Sequence, residues 1–354
     1  MIFKTPAIPG PPFLHPTHPD PKRLRFSMAT PAVLQKPDRA TTAPSHKALP
    51  DRLWIQTTLF LLTLFSTTMV GMRYMVNFQQ GRFPLASDAD VFPYRWVYAN
   101  LSHFALGLPF SLTLLGILLT HEFGHYFACR YYGIDATLPY LIPAPSLSGT
   151  AGAVIRLNSR VRSRAALISI GAIGPVAGFL VAVVMSCIGL ALSHPVAVEP
   201  QKLVSFHLPL FFKLISFAFG NALHVHLDAP LLWHPIFIAS WIGLLITSLN
   251  LLPAGQLDGG HILYTISPRI HRITTYVIIT GLIYLGITLW LGWLLWAALL
   301  CLPGMRHPRV QDTEPLHPAL LALAPISLAI LILTATPQPF SDSSLINVIS
   351  RLHH

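Results

Sequence analysis

Ionisable side chains are scarce in this sequence, yet three of them fall together: His121, Glu122 and His125 in the run LTHEFGHYF. The residues around them are apolar, so the run reads as one buried helix. His121 and His125 are four residues apart and stack one turn apart on the same face. Glu122 lies about 100° round the helix from His121, and closer still to His125, so all three point into one sector. Two imidazoles at this spacing can hold one Zn²⁺, and the carboxylate beside them can hold and deprotonate a water that the metal activates. Glutamate occurs only at positions 122, 199 and 314. A chance match of this form is therefore expected on the order of 0.01 times. An ionisable group at the centre of a membrane helix also costs roughly 2.5–3.5 kcal/mol, which disfavours an idle one.

A catalytic zinc takes three protein ligands and keeps one position open. Asp258 is the candidate third ligand, in the stretch NLLPAGQLDGGH from Asn250 to His261. Pro253 stops a helix, and Gly255, Gly259 and Gly260 let the chain fold back. Asp258 would then return to the depth of the two histidines; the competing reading is a capping or turn aspartate at an interface. Asn250 carries a polar amide in an apolar helix. It either bonds a neighbouring helix or stabilises a developing oxyanion, and the catalytic role is the one expected. His261 reads as a residue behind the ligands or at an interface. His207, His224, His226 and His234 form a looser group on the opposite side, where surface imidazoles are commoner than a second metal site.

The elements that must position these groups are membrane segments. The chain is 53% hydrophobic and only 10% charged over 354 residues, with a mean hydropathy of +0.58; a soluble protein would carry about 25% charged residues. Apolar segments are expected at about 53–72, 105–132, 165–193, 235–252, 273–289, 291–302 and 319–335. This is an all-α polytopic membrane protein with about six to seven transmembrane helices. The run at 206–220 is short and contains Pro209 and Lys213, so an interfacial or re-entrant piece is expected there. No dense basic run with interleaved aromatics occurs, which argues against nucleic acid despite the net charge of +10. Cys129, Cys187 and Cys301 lie in or at the ends of apolar segments and read as packing residues.

Residues 1–52 are basic and Pro-rich with no apolar periodicity, and are expected to be disordered. They lack the apolar core of a secretory signal. A plastid transit peptide would be richer in Ser and largely without acids such as Asp20, Asp38 and Asp51. Translation from Met28 is an alternative start. With the N-terminus in the cytoplasm, 17 of the 23 Lys and Arg fall on the cytoplasmic side, which favours that orientation. The expected organisation is the tail, a first helix and extracytoplasmic loop at 53–104, a catalytic core at 105–310, and a C-terminal helix and tail at 311–354.

HEFGH on the second segment and NLLPAGQLDGG after the fourth resemble the site-2 protease family of intramembrane zinc metalloproteases. The resemblance covers roughly residues 100–310. It implies one Zn²⁺ per chain bound by His121, His125 and Asp258, with Glu122 as catalytic acid/base. Gly149-Thr-Ala-Gly-Ala-Val-Ile-Arg156 is similar to the family's membrane-associated strand, so a short membrane-associated β-hairpin is expected. Gly174-Pro-Val-Ala-Gly178 is similar to its small-residue motif. Many bacterial members carry a PDZ domain between the third and fourth segments; here 193–234 is too short for one, so the match is to the PDZ-less branch that includes plastid members. The implied function is hydrolysis of peptide bonds within the transmembrane segments of other proteins, with a bilayer and membrane proteins as partners. A bacterial inner membrane is the expected location and a plastid membrane the alternative. A catalytically inactive member that binds clients, or a zinc transporter, are the competing classes. Glu122 argues against the first, and the lack of ionisable groups within segments one, three, five and seven against the second.

Overall fold

The structure, a computed structural model, describes residues 52–86, 90, 93–196, 206–223, 231–310, 312, 314–341 and 343–346. The expected disordered tail at 1–51 lies outside these, as do His224 and His226. The order of elements is α1 (Leu53–Gln79), α2 (Tyr94–Ala99), a 3-10 turn (Leu101–Gly107) leading into α3 (Leu108–Tyr131), β1 (Tyr140–Pro143), β2 (Thr150–Val154) and α4 (Arg164–Ala191). There follow β3 (His194–Pro195), α5 (Leu210–Leu223), β4 (Leu231–Leu232), α6 (Pro235–Asn250), α7 (Asp258–Ile266), α8 (Pro268–Thr288), α9 (Gly292–Cys301), α10 (Pro318–Leu321) and α11 (Leu323–Thr334).

Among the described residues the chain is mostly helical, with four helices long and apolar enough to cross a membrane: Leu53–Gln79, Leu101–Tyr131, Arg164–Ala191 and Pro268–Thr288. Shorter apolar helices occupy the remaining expected segments. Caps mark where the apolar runs begin. Ser163 accepts from the Ala166 N–H at the start of α4, and Ser267 from Ile270 at the start of α8. His234 accepts through Nδ1 from the Ile236 N–H at the start of α6.

α1 runs past the expected end at residue 72 because Arg73 is accommodated rather than excluded. Its Nε donates to Asp90 Oδ1 at 2.5 Å, and its guanidinium lies 4.5 Å over the Trp96 ring. The interior is built chiefly by α3, α4 and α6. Trp241, Phe237, Leu114 and Ile117 are fully buried there, while Leu112, Phe127, Leu180, Val184 and Tyr276 point outward. Small hydroxyl residues such as Thr63, Thr67, Ser111 and Ser240 lie inside. Apolar groups outside and small polar groups between helices are the pattern expected when hydrocarbon is the solvent.

Between α3 and α4 the chain makes an antiparallel hairpin. Tyr140, Leu141 and Ile142 of β1 face Val154, Ala153 and Gly152 of β2, with a register shift between Ile142 and Pro143. An isolated bridge from Ala136 to Leu157 extends the pairing. The strand expected within 149–156 is therefore present as β2. A second, two-residue ladder joins β3 and β4.

Candidate metal centre

His121, Glu122 and His125 lie on α3, all buried. Asp258 is the first residue of α7, where the positive end of the helix dipole favours a carboxylate. The turn after Asn250 brings it there. Gly255 takes φ +56° in that turn, a conformation open to glycine. The His271 Nε2–H donates to the Gly255 carbonyl at 2.9 Å, and Gln256 donates to the carbonyls of Gly304 and Arg306. The turn is thus braced from α8 and from the segment after α9.

The result is a single convergent group. Asp258 Oδ2 stands 3.1 Å from His121 Nε2 and 3.4 Å from His125 Nε2. One ligand atom from each residue lies within 4.8 Å of the others, and this is the sole such group of three among the described residues. The test of fit is geometric. A tetrahedral zinc with bonds of about 2.05 Å spaces its ligand atoms about 3.3 Å apart; the two carboxylate-to-imidazole distances agree, and the imidazole pair lies within 4.8 Å. The tautomer agrees as well. His125 Nδ1–H donates to the Ile170 carbonyl at 2.6 Å, which leaves Nε2 as the free lone pair on the metal side.

The Ile170 contact exists because α3 and α4 touch backbone to backbone. A Cβ on Gly124 would stand 2.8 Å from the Gly174 Cα, and a Cβ on Gly174 would enter the His125 ring. Four residues on, a Cβ on Gly178 would lie 3.0 Å from the His121 Cβ. The Gly-Pro-Val-Ala-Gly stretch of α4 is therefore the wall against which both imidazoles are set. Gly174→Ala is expected to lower metal affinity about 10–100-fold, the usual cost of losing a group that orients a ligand. Gly116→Ala, where a Cβ meets nothing within 4 Å, should leave metal content unchanged. Elemental analysis of the purified variants checks both.

Glu122 is not part of the convergent group, but it is near enough to interact electrostatically with His125 and Asp258, and the backbone N–H of Ile155, just past β2, faces its carboxylate. Asn250 is the half-buried last residue of α6 and makes no side-chain hydrogen bond among the described residues. His261 stands behind Asp258, one turn along α7. Its Nδ1 is 2.9 Å from His307 Nε2, and Tyr264 stacks on His307 at 3.7 Å. Burial pushes His307 down to about 4, so it is a neutral imidazole at ordinary pH. Tyr264 also lines a cavity of about 340 Å³ with Arg164, Thr265, Pro268, Val310 and Asp312. His207 and His234 take structural parts: the His207 carbonyl accepts from Trp241 Nε1, and His234 caps α6. The Ile170 carbonyl and His307 were not expected from the sequence; Gly174 and Gly178 were singled out there as a small-residue motif, without their contacts to the two imidazoles.

Residues 109–292 match the model of the protein family described as Peptidase family M50. Among curated proteins, "Probable zinc metalloprotease EGY1, chloroplastic" of Arabidopsis thaliana is 32% identical over 305 residues, 81% of this chain and 54% of that protein. The protein of the same designation from Oryza sativa subsp. japonica is 31% identical over 303 residues, 81% of this chain and 51% of its own. "Probable zinc metalloprotease EGY2, chloroplastic" of Arabidopsis thaliana is 33% identical over 174 residues, 49% of this chain and 31% of that protein. The chain spans about half the length of the first two of these relatives.

Proposed function

The chain belongs to peptidase family M50, and from that premise we propose that it is an intramembrane zinc metalloendopeptidase that cuts peptide bonds within the membrane segments of other proteins. The observation that carries the reading is the buried convergence of His121, His125 and Asp258 with Glu122 beside it, between helices apolar enough to span a bilayer. His121, His125 and Asp258 would hold one Zn²⁺ per chain. Bound there, zinc supplies Lewis acidity, lowering the pKa of water and polarising a carbonyl.

The rest falls to the protein's own side chains. Glu122 takes the proton from the attacking water and returns it to the leaving amide nitrogen. Asn250 donates from its amide to the oxygen on which charge develops. Ile170 and the α4 wall hold the His125 tautomer through both steps. A client helix hides its peptide bonds in its own hydrogen bonds and must unwind first; the β1–β2 hairpin offers it strand pairing in exchange. The chain is an integral membrane protein of six to seven spans with a cytoplasmic N-terminus, and its clients are membrane proteins. The membrane is a bacterial inner membrane or a plastid membrane; the chloroplastic designation of the relatives supports the second.

The test is cleavage of a fluorescent membrane-span substrate by protein reconstituted in vesicles. Removal of metal with 1,10-phenanthroline is expected to abolish cutting, and Zn²⁺ to restore it. Cutting that survives metal removal would sink the proposal. Binding of clients with no cutting by the metal-loaded protein would favour a client-binding member instead.

A further inference from the structure

The first helix lies outside the family match at 109–292, yet it grips the hairpin at three points. Gln56 Nε2 donates to the Leu138 carbonyl at 3.0 Å, Ser66 Oγ to the Gly149 carbonyl at 2.6 Å, and Tyr74 Oη to the Leu147 carbonyl at 2.7 Å. Gln56 and Tyr74 are five turns apart on one face of α1, about 27 Å along the axis. Between these two contacts residues 140–143 form β1 and the chain turns at 145–148, so the segment is tied to α1 both ahead of the strand and at the turn.

A further contact fixes the hairpin against sliding. Gly149 has φ +76°, and a Cβ there would stand 2.7 Å from the Ser66 carbonyl carbon and oxygen and from the Thr67 Cα. The hairpin turn is pressed onto the α1 backbone with no room for a side chain. At the other end of the same sheet, just beyond β2, the Ile155 N–H faces Glu122. The path runs from α1, through the β1–β2 pairing, to α3, against which β2 packs and which carries Glu122.

We propose that α1 is a clamp that sets the register of the hairpin relative to Glu122, with Gln56, Ser66 and Tyr74 as its positioning residues. This rests on the peptidase reading: a client strand paired along the hairpin is then presented with one chosen bond at Glu122. α1 thereby determines where the cut falls, without touching the client or the metal. Three loop carbonyls satisfied by side chains would stabilise any buried loop. A clamp differs in that loosening it moves the cut.

The experiment compares the parent with Ser66→Ala/Tyr74→Phe, and with Thr58→Ala on the exposed face of α1 as a control. Each is made with active Glu122 and with Glu122→Gln, and all are zinc-loaded. In the Glu122→Gln forms, amide hydrogen exchange of residues 138–156 is expected to quicken about tenfold in the double variant and to stay unchanged in the control. In the active forms, mass spectrometry of products is expected to show one major cut spreading over several neighbouring bonds, and Ser66→Thr with Tyr74 restored should return the single cut. Unchanged exchange overturns the clamp. Faster exchange with the cut at its original bond overturns the register role. A parent that cuts no membrane span sinks the peptidase reading instead, and the exchange arm then still decides whether α1 holds the hairpin.

Discussion

Glu122→Gln is expected to keep its zinc and stop cutting. The three groups that converge are His121, His125 and Asp258. Glu122 stands to one side, so replacing its carboxylate by an amide of the same shape removes no ligand. The amide cannot accept a proton from water, and loss of a general base alone costs about 10²–10⁴-fold in rate. The side chain is buried among apolar helices, so the neutral amide should leave the fold intact. Metal content by elemental analysis, cleavage of a fluorescent span in vesicles, and recovery of uncut client bound to the variant are the three readouts. A variant that cuts as fast as the parent would falsify the assigned role.

Asp258→Ala is expected to do the reverse and lose the metal. Its Oδ2 is the atom common to both imidazole contacts. Without it a zinc would keep two nitrogen ligands on one helix, short of the three that catalytic sites use. Occupancy should fall well below half after dialysis against a weak chelator, and cleavage should fall with it. The fold should survive better than the site, because the turn before α7 is braced by His271 and Gln256 rather than by Asp258. Full occupancy after the same dialysis would place the third ligand elsewhere.

What could be read from the sequence was whatever has a residue type that pays a visible cost in an apolar chain. His121, Glu122 and His125 stand out for that reason, and Asp258 stands out through the Pro and Gly that surround it. The longer helical segments were legible from their apolar runs, though not all of their ends, and the short helices α2 and α7 were not read. α1 was expected to end at about 72, with a polar loop after it; Asp90 and Trp96 are what hold Arg73 inside the longer helix. The Ile170 carbonyl could not be found, because a backbone oxygen has no signature and its partner is 45 residues away. Gln56, Ser66 and Tyr74 were missed for a related reason: each is an ordinary helix residue until the hairpin is laid against it. His307 reaches His261 across 46 residues, through a connection no spacing rule anticipates.

The separation of the ligands along the chain has a consequence for how the molecule is made. Asp258 lies 137 residues after His121. At 5–20 residues per second, a ribosome delivers the aspartate roughly 7–27 s after the first histidine. Throughout that interval the newborn α3 carries two imidazoles and a carboxylate with no counter-ligand. Ile170, only 45 residues after His125, emerges roughly 2–9 s after it. The glycine-lined face of α4, which meets both imidazoles, is thus made well before the helix that carries Asp258. A metal ion arriving before Asp258 is made would meet a pair of histidines already set against α4.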